Sequence, residues 1–276
     1  MSAAPRQAPV PALDDETFAE FQRITLETTG IVLADNKRAM ITTRFARRLR
    51  ALDLPDFRSY LELLASPAHP ERGMFFDTVT TNLTYFFREP HHFEALTARV
   101  LPAIERRSGG RPVRIWSAGC SHGQEPYSIA IAALESRVPL GRSVRVLCTD
   151  IHSRAVGQAR EGIYSGEELR GLAPARRDRW FTALPDGRWQ ASEELRRMLI
   201  CKELNLFGPW PIRPGVDVVF CRNVLIYFDL EHQRKLVRGF AAIQPPGAHL
   251  FLGHSETLRD CDDIYRRVDN TLYERC

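Results

Sequence analysis

The sequence predicts an α/β protein, a doubly wound parallel sheet preceded by a small all-helical domain. Three observations predict it. Between residues 113 and 254, apolar runs of strand length alternate with helical patterns, the order that builds a parallel sheet with helices on both faces. From residue 15 to about 72, apolar residues recur only at helical spacing. Between the two regions, SPAHPERG (66–73) is a cluster of helix breakers and reads as a linker. The expected division is a flexible tail over 1–14, a helical domain over 15–75 and an α/β domain over 76–276.

Bulk properties agree with this reading. A chain of 276 residues with 44% hydrophobic and 26% charged residues can bury a large core and is neither low-complexity nor disordered. No stretch approaches the roughly 18 apolar residues of a membrane helix, so direct membrane insertion is not expected. The N-terminal segment lacks the apolar core of a secretory signal. The six cysteines, at 120, 148, 201, 221, 261 and 276, include no C-x-x-C pair. They point to a reducing cytoplasm and away from a disulfide framework or a zinc site.

In the helical domain, Phe18, Phe21 and Ile24 form the first stripe. A basic helix follows, in which Ile41, Phe45, Leu49 and Leu52 occupy an arc of about 80°. Residues 36–52 carry six basic residues and no acid. Lys37, Arg44, Arg47, Arg48 and Arg50 project away from the apolar arc. They are either a solvated face or a docking surface for an acidic partner. Phe57, Tyr60, Leu61 and Leu64 predict a third, short helix.

In the α/β domain, VRIWSA (113–118) predicts a strand, and PYSIAIAALE (126–135) the helix after it, with Pro126 suited to a first turn. VRVLCTD (144–150), SRAVGQAREG (153–162), VDVVFCRN (216–223), HQRKLVRGFAAI (232–243) and HLFLGH (249–254) continue the alternation. Ligands of such sheets bind at the carboxyl ends of the strands, where each polar cluster of this chain falls. The loop SAGCSHGQEP could be a plain tight turn or a ligand cradle at a helix N-terminus. Glu125 could favour the helix dipole or contact a cationic or hydroxylated group. Asp150 could cap the next helix or accept ribose hydroxyls. Arg222, at the end of a buried strand, needs partners. In TTNLTYFFREPHHF (80–93), three consecutive aromatics must pack and would fix the polar residues between them. His91 and His92 are adjacent, and adjacent helical side chains point apart, so no metal is expected there. Hydrolase and nucleotide triphosphatase signatures are missing from the sequence.

These motifs together resemble one family, the bacterial chemotaxis receptor methyltransferases known as CheR. The matching strings are TVTTNLTYFFREPHHF, IWSAGCSHGQEPYSIA, TDI with AREGIY, KELNLF, FCRNVLIYFD and LGHSET, spread in order from Thr78 to Thr257. The resemblance implies a Rossmann-like S-adenosylmethionine-dependent methyltransferase domain that modifies glutamates on the cytoplasmic helices of chemoreceptors, releasing S-adenosylhomocysteine. It implies cofactor contacts from Asn82, Thr84, Arg88, Gly119, Glu125, Asp150, Asn205, Leu206, Arg222 and Asn223. Glu125 would meet the amino-acid part of the cofactor, Asp150 the ribose, and Asn205 and Leu206 the adenine. Tyr227 would help position the methyl acceptor. Arg44, Arg47, Arg48 and Arg50 would dock the receptor. A monomer working without nucleic acid is expected. Some relatives insert a three-stranded β-subdomain that grips a receptor pentapeptide through a Gly-x-Gly loop. The matching region here is 179–199, whose turn is Pro185-Asp186-Gly187 and has no Gly-x-Gly. Two other classes compete: a nicotinamide-dependent oxidoreductase, disfavoured by the missing G-x-G-x-x-G, and a non-catalytic cofactor-binding docking module.

Overall fold

The computed structural model describes residues 11–66, 69–80, 83–139 and 143–276. The chain divides into two units, Met1–Thr81 and Asn82–Cys276.

The first unit holds the helices α1 (Asp15–Thr29), α2 (Arg38–Ala51), α3 (Phe57–Leu64) and α4 (Glu71–Val79). Asp14 caps α1 by accepting from the Thr17 N–H, and Asp56 caps α3 by accepting from that of Ser59. The core is aromatic. The Phe21 ring meets Phe45 edge-on at 4.8 Å and lies within 6.3 Å of Phe57, Tyr60 and Phe75, a geometry that aromatic quadrupoles favour.

Helix α4 departs from the sequence reading. The SPAHPERG breakers precede a fourth helix of the same unit, and the division falls at 81/82 instead of 75/76. Phe75 and Val79 belong to the aromatic core. Glu71 is only 5% exposed. It accepts from Arg48 through both oxygens at 2.8 and 2.7 Å and from the Tyr60 hydroxyl at 3.0 Å. Arg44 donates to the carbonyls of Thr78 and Thr80 at 3.0 and 2.7 Å. Helix α4 is therefore held by two arginines that the sequence assigns to the outer surface. Of the four expected docking arginines, Arg44 and Arg48 are turned inward, while Arg47 and Arg50 are exposed.

The second unit opens with α5 (His91–Ala95), which continues through a π turn into α6 (Leu101–Ser108). The elements β1 (Arg114–Ala118), α7 (Gln124–Glu135), β2 (Arg145–Asp150) and α8 (Ser153–Glu161) follow. A small insertion comes next: β3 (Ile163–Tyr164), α9 (Pro174–Trp180), β4 (Phe181–Ala183) and β5 (Trp189–Ala191). The chain then returns through α10 (Glu193–Met198), β6 (Leu199–Glu203), β7 (Val218–Cys221), α11 (Leu230–Ile243), β8 (His249–Leu252), β9 (Tyr265–Asp269) and β10 (Leu272–Arg275).

The main sheet has the order β6-β2-β1-β7-β8-β10-β9. Its first five strands are parallel, and β10 runs antiparallel to both neighbours. The sheet is thus mixed, closed by a hairpin beyond the last strand read from the sequence. The inserted sheet, of order β3-β5-β4, is antiparallel and spans 163–191, so it starts earlier than the expected 179–199. Residues 193–199 instead form α10 and the start of β6, which pairs β2 in register from Val146 with Leu199 to Asp150 with Glu203. Strand order reverses at β1, flanked by β2 and β7. That switch point is where ligands of open α/β sheets bind.

The buried Glu71 carboxylate gives a stability prediction. Arg48→Ala would leave it unpaired and should destabilise the helical unit by about 2–4 kcal/mol, near the lower part of the range for broken buried pairs because Arg48 keeps some exposure. The exposed Arg47→Ala should change stability by less than about 0.5 kcal/mol. Urea denaturation followed by circular dichroism separates the two, and equal losses would contradict the internal role of Arg48.

Candidate active site

The carboxyl ends of β1, β2 and β7 carry the candidate residues. After Ala118 the chain turns sharply through Gly119, at φ 85°. The Gly119 and Cys120 N–H groups both donate to the Thr149 carbonyl, at 2.8 and 2.9 Å. A Cβ at Gly119 would stand 2.4 Å from Val224 Cγ2, so the loop packs against the segment after β7 as only glycine allows. The loop ends at Gly123, and α7 begins with Gln124 and Glu125.

Asp150, the last residue of β2, is buried. Its Oδ2 accepts from the Ser121 N–H at 2.8 Å and its Oδ1 from the His152 N–H at 2.9 Å. Burial pushes its carboxyl above the ordinary value, and the two amides pull it back. It does not cap α8. His152 does so, with Nδ1 accepting from the Ala155 N–H. Each Asp150 oxygen keeps accepting capacity beyond its single amide, which suits vicinal hydroxyls.

Glu125, in the first turn of α7, belongs to a separate, largely buried network. The Ser117 hydroxyl donates to its Oε1 at 2.8 Å, and Arg222 Nη1 to its Oε2 at 3.0 Å. Burial raises the Glu125 carboxyl, while Arg222 and Ser117 oppose the rise. The Arg222 side chain is 2% exposed. Its Nη2 donates to the Arg88 carbonyl and lies 3.4 Å from Glu89 Oε2. Burial would raise the Glu89 carboxyl, but the His254 hydrogen bond and the Arg222 charge hold it at about 2. The expectation for Arg222 is thereby refined: it grips Glu125 and the 83–90 segment from behind.

Asn223 follows at φ 58°, in the left-handed region. Its N–H donates to Glu256 Oε2 at 2.8 Å, as do the Gly253 N–H to Oε2 at 2.6 Å and the Ile226 N–H to Oε1 at 3.3 Å. A Cβ on Gly253 would meet Asn223 Nδ2 at 2.5 Å. Glu256 therefore ties the loops after β7 and β8 together. It escaped the sequence reading except as a letter of LGHSET, because nothing about a lone acid after a strand foretells a nest of amides. Tyr227 ends a 3₁₀ turn, Leu225–Tyr227, on this loop and is half-buried.

Asn205 and Leu206 follow β6, where the Leu204 N–H donates to the Asp150 carbonyl at 3.0 Å. Asn205 Oδ1 accepts from the Phe207 N–H, and the Leu206 carbonyl from Trp210 Nε1. In the 83–90 segment, Thr84 is half-buried, and Arg88 donates to the Leu83 carbonyl at 2.8 Å beside the Tyr85 ring. Asn82 lies outside the described residues. Hydrogen bonds and packing thus join Gly119, Glu125, Asp150, Arg222, Asn223 and the Arg88 backbone around the switch point. The Arg88 guanidinium turns instead to the Leu83 carbonyl, and Tyr227 stands on the loop after β7.

The site offers what a ligand with an amino-acid end and ribose hydroxyls requires. Glu125 and Asp150 supply acceptors for an ammonium and for hydroxyls, and Gly119 leaves backbone open to close approach. Among the described residues, Ser121 Oγ and Gln124 Oε1, both buried, lack hydrogen-bond partners. Orphaned groups of this kind are the ordinary mark of a ligand or ordered water.

The family comparison agrees. The model of the CheR methyltransferase S-adenosylmethionine-binding domain matches residues 82–273, and that of the CheR all-alpha domain matches 16–80. A probable chemotaxis protein methyltransferase of Rhizobium etli is 42% identical over 253 residues, covering 88% of this chain and 94% of that protein. The chemotaxis protein methyltransferase of Escherichia coli is 39% identical over 267 residues, covering 95% and 91%. Chemotaxis protein methyltransferase 2 of Pseudomonas aeruginosa is 35% identical over 280 residues, covering 98% and 99%. With both family domains present in order and the cofactor-binding loop in place, the chain belongs to the CheR methyltransferase family, and S-adenosylmethionine is its cofactor.

Proposed function

We propose that this protein transfers the methyl group of S-adenosylmethionine to glutamate side chains on the cytoplasmic helices of chemoreceptors, working as a monomer in the cytoplasm. The observation that carries the reading is the placing of Glu125 after β1 and of Asp150 at the end of β2, on either side of the switch point of a CheR chain, two acceptors suited to the two polar ends of one cofactor. The bound cofactor supplies an electrophilic methyl on a sulfonium cation. Glu125 receives the cofactor ammonium, and Asp150 takes the ribose hydroxyls. Asn205 and Leu206 flank the adenine. Asn223 and Tyr227 border the acceptor side.

The acceptor glutamate is already ionised at neutral pH, with an unperturbed pKa of about 4.3. It needs no general base. Attack by a carboxylate on a sulfonium neutralises charge, so a site that excludes water favours the transition state. The work left to the protein is alignment. Methylated receptor helices are rich in glutamate and present negative charge. Arg47 and Arg50, the exposed pair on α2, are the docking contacts we infer from the original four, since Arg44 and Arg48 are engaged with α4. Each exposed contact contributes only about 0–1 kcal/mol, so docking rests on several of them.

Labelled methyl transfer from S-adenosylmethionine to a receptor cytoplasmic fragment tests this reading. The expected product is a base-labile ester on glutamate. Base-stable label would overturn it. The Arg47→Glu, Arg50→Glu double variant should raise KM for the fragment several-fold and leave cofactor affinity unchanged.

The pH profile supplies a second check. Burial, with the Arg222 charge adding to it, holds His92 down at about 3, and Glu89 stays at about 2, so neither titrates near neutrality. The kcat should be level between about pH 6.5 and 8.5. Stability has the opposite character on the acid side. The unfolded chain protonates His92 below about 6.5 and Glu89 below about 4.5, where the folded chain resists, so the unfolded state binds more protons and stability falls with falling pH. A kcat inflection near 6.5 would reveal a histidine base and contradict the mechanism.

A further inference from the structure

Two histidines and one carboxylate gather just behind the cofactor site, and a third histidine reaches the same carboxylate from outside. The ligating atoms of Glu89, His91 and His92 all lie within 4.8 Å of one another. His92 Nδ1 is 3.5 Å from Glu89 Oε2, and His254 Nδ1 is 2.9 Å from Glu89 Oε1. Around a tetrahedral zinc ion with bonds of about 2.0–2.1 Å, ligand atoms stand about 3.3 Å apart. We propose that Glu89, His91 and His92 form a site for one divalent transition-metal ion of the zinc class, with a water in the fourth position and His254 holding the second Glu89 oxygen.

A second observation points the same way. His92 is 2% exposed. Among the described residues, its Nδ1 and Glu89 Oε2 are both buried without hydrogen-bond partners, although they face each other at 3.5 Å. The other ring nitrogen, Nε2, is 2.6 Å from the Thr271 hydroxyl. With the proton on Nε2 and Thr271 accepting it, Nδ1 presents its lone pair toward Glu89. An outer hydrogen bond that sets tautomer and ring orientation is the usual companion of a metal-binding histidine.

Adjacent helical residues do point apart, which is why the sequence argues against a metal here. The backbone supplies what the sequence hides. Glu89 has φ 58°, so the chain enters α5 through a left-handed residue that brings its carboxylate to the two imidazoles. His254, from the loop after β8, contacts the other Glu89 oxygen at 2.9 Å and so steadies that carboxylate from outside the cluster. Arg222 does not forbid the ion, because its two terminal nitrogens already have Glu125 and the Arg88 carbonyl. It does share Glu89 with the metal. Occupancy would draw that carboxylate away from Arg222, the residue that steadies Glu125, and so couple the metal to the cofactor site.

Titration of the full chain with Co²⁺, followed by Zn²⁺ displacement, tests the site. One Co²⁺ should bind per chain with the visible absorption of a four-coordinate nitrogen and oxygen site and no thiolate charge-transfer band. His91→Ala and His254→Ala, both at exposed positions, should each weaken binding at least about tenfold, and the near-isosteric Thr271→Val by about 10–100-fold. His232→Ala, which touches Asp229 on α11, should bind as the wild type does. Affinity unchanged in both the His91 and His254 variants, absence of a one-to-one complex, or a thiolate band would overturn the proposal.

Discussion

One buried guanidinium holds the catalytic unit in register. Arg222 reaches from the end of β7 to Glu125 at the start of α7 and to the Arg88 carbonyl in the segment before α5. Through Glu125 the connection extends to Ser117 on β1. Burying such a pair carries a desolvation penalty that often cancels its Coulombic gain. Its value lies in what happens when one partner is missing, because the other is then a charge stranded in the interior. The pair makes alternative placements of these three segments costly. The cofactor site exists only when all three are in place.

A second anchor works beside it through neutral donors. Glu256 collects backbone N–H groups from the loops after β7 and β8 and so sets Asn223 in its left-handed conformation. Gly119 and Gly253 leave room for the same loop, since a side chain at either would collide with Val224 or Asn223. The polar edge of the site thus rests on two carboxylates that do not face the ligand pocket in the same way. Glu125 is placed to bind, whereas Glu256 is consumed entirely in positioning.

Much of this was legible in the chain because it follows from periodicity. Alternating strand and helix patterns located β1, β2, β7, β8 and their helices, and small or polar residues after each strand marked the ligand edge. What stayed hidden depends on contacts distant in sequence. The arginines of α2 look alike in a helical projection, yet Arg48 turns inward because Glu71, 23 residues away, is buried beneath it. The breakers before α4 look like a linker because the helix they introduce is short and finds its core partners only in three dimensions. The β9–β10 hairpin carries exposed arginines and an aspartate, which obscure strand alternation. The Glu89 and histidine cluster depends on one left-handed residue that no local pattern signals.

The central claim is that Arg222 and Glu125 act as one unit in building the cofactor site. A double-mutant cycle on S-adenosylmethionine affinity measures it directly, using Glu125→Gln, Arg222→Met and the combined variant, each confirmed as folded by circular dichroism. The account predicts that each single change weakens binding and that the double change costs less than their sum by about 1 kcal/mol or more, the signature of residues sharing one network. Losses that simply add would mean that the two side chains serve the cofactor independently, and the buried pair would not be the constraint on which the site depends.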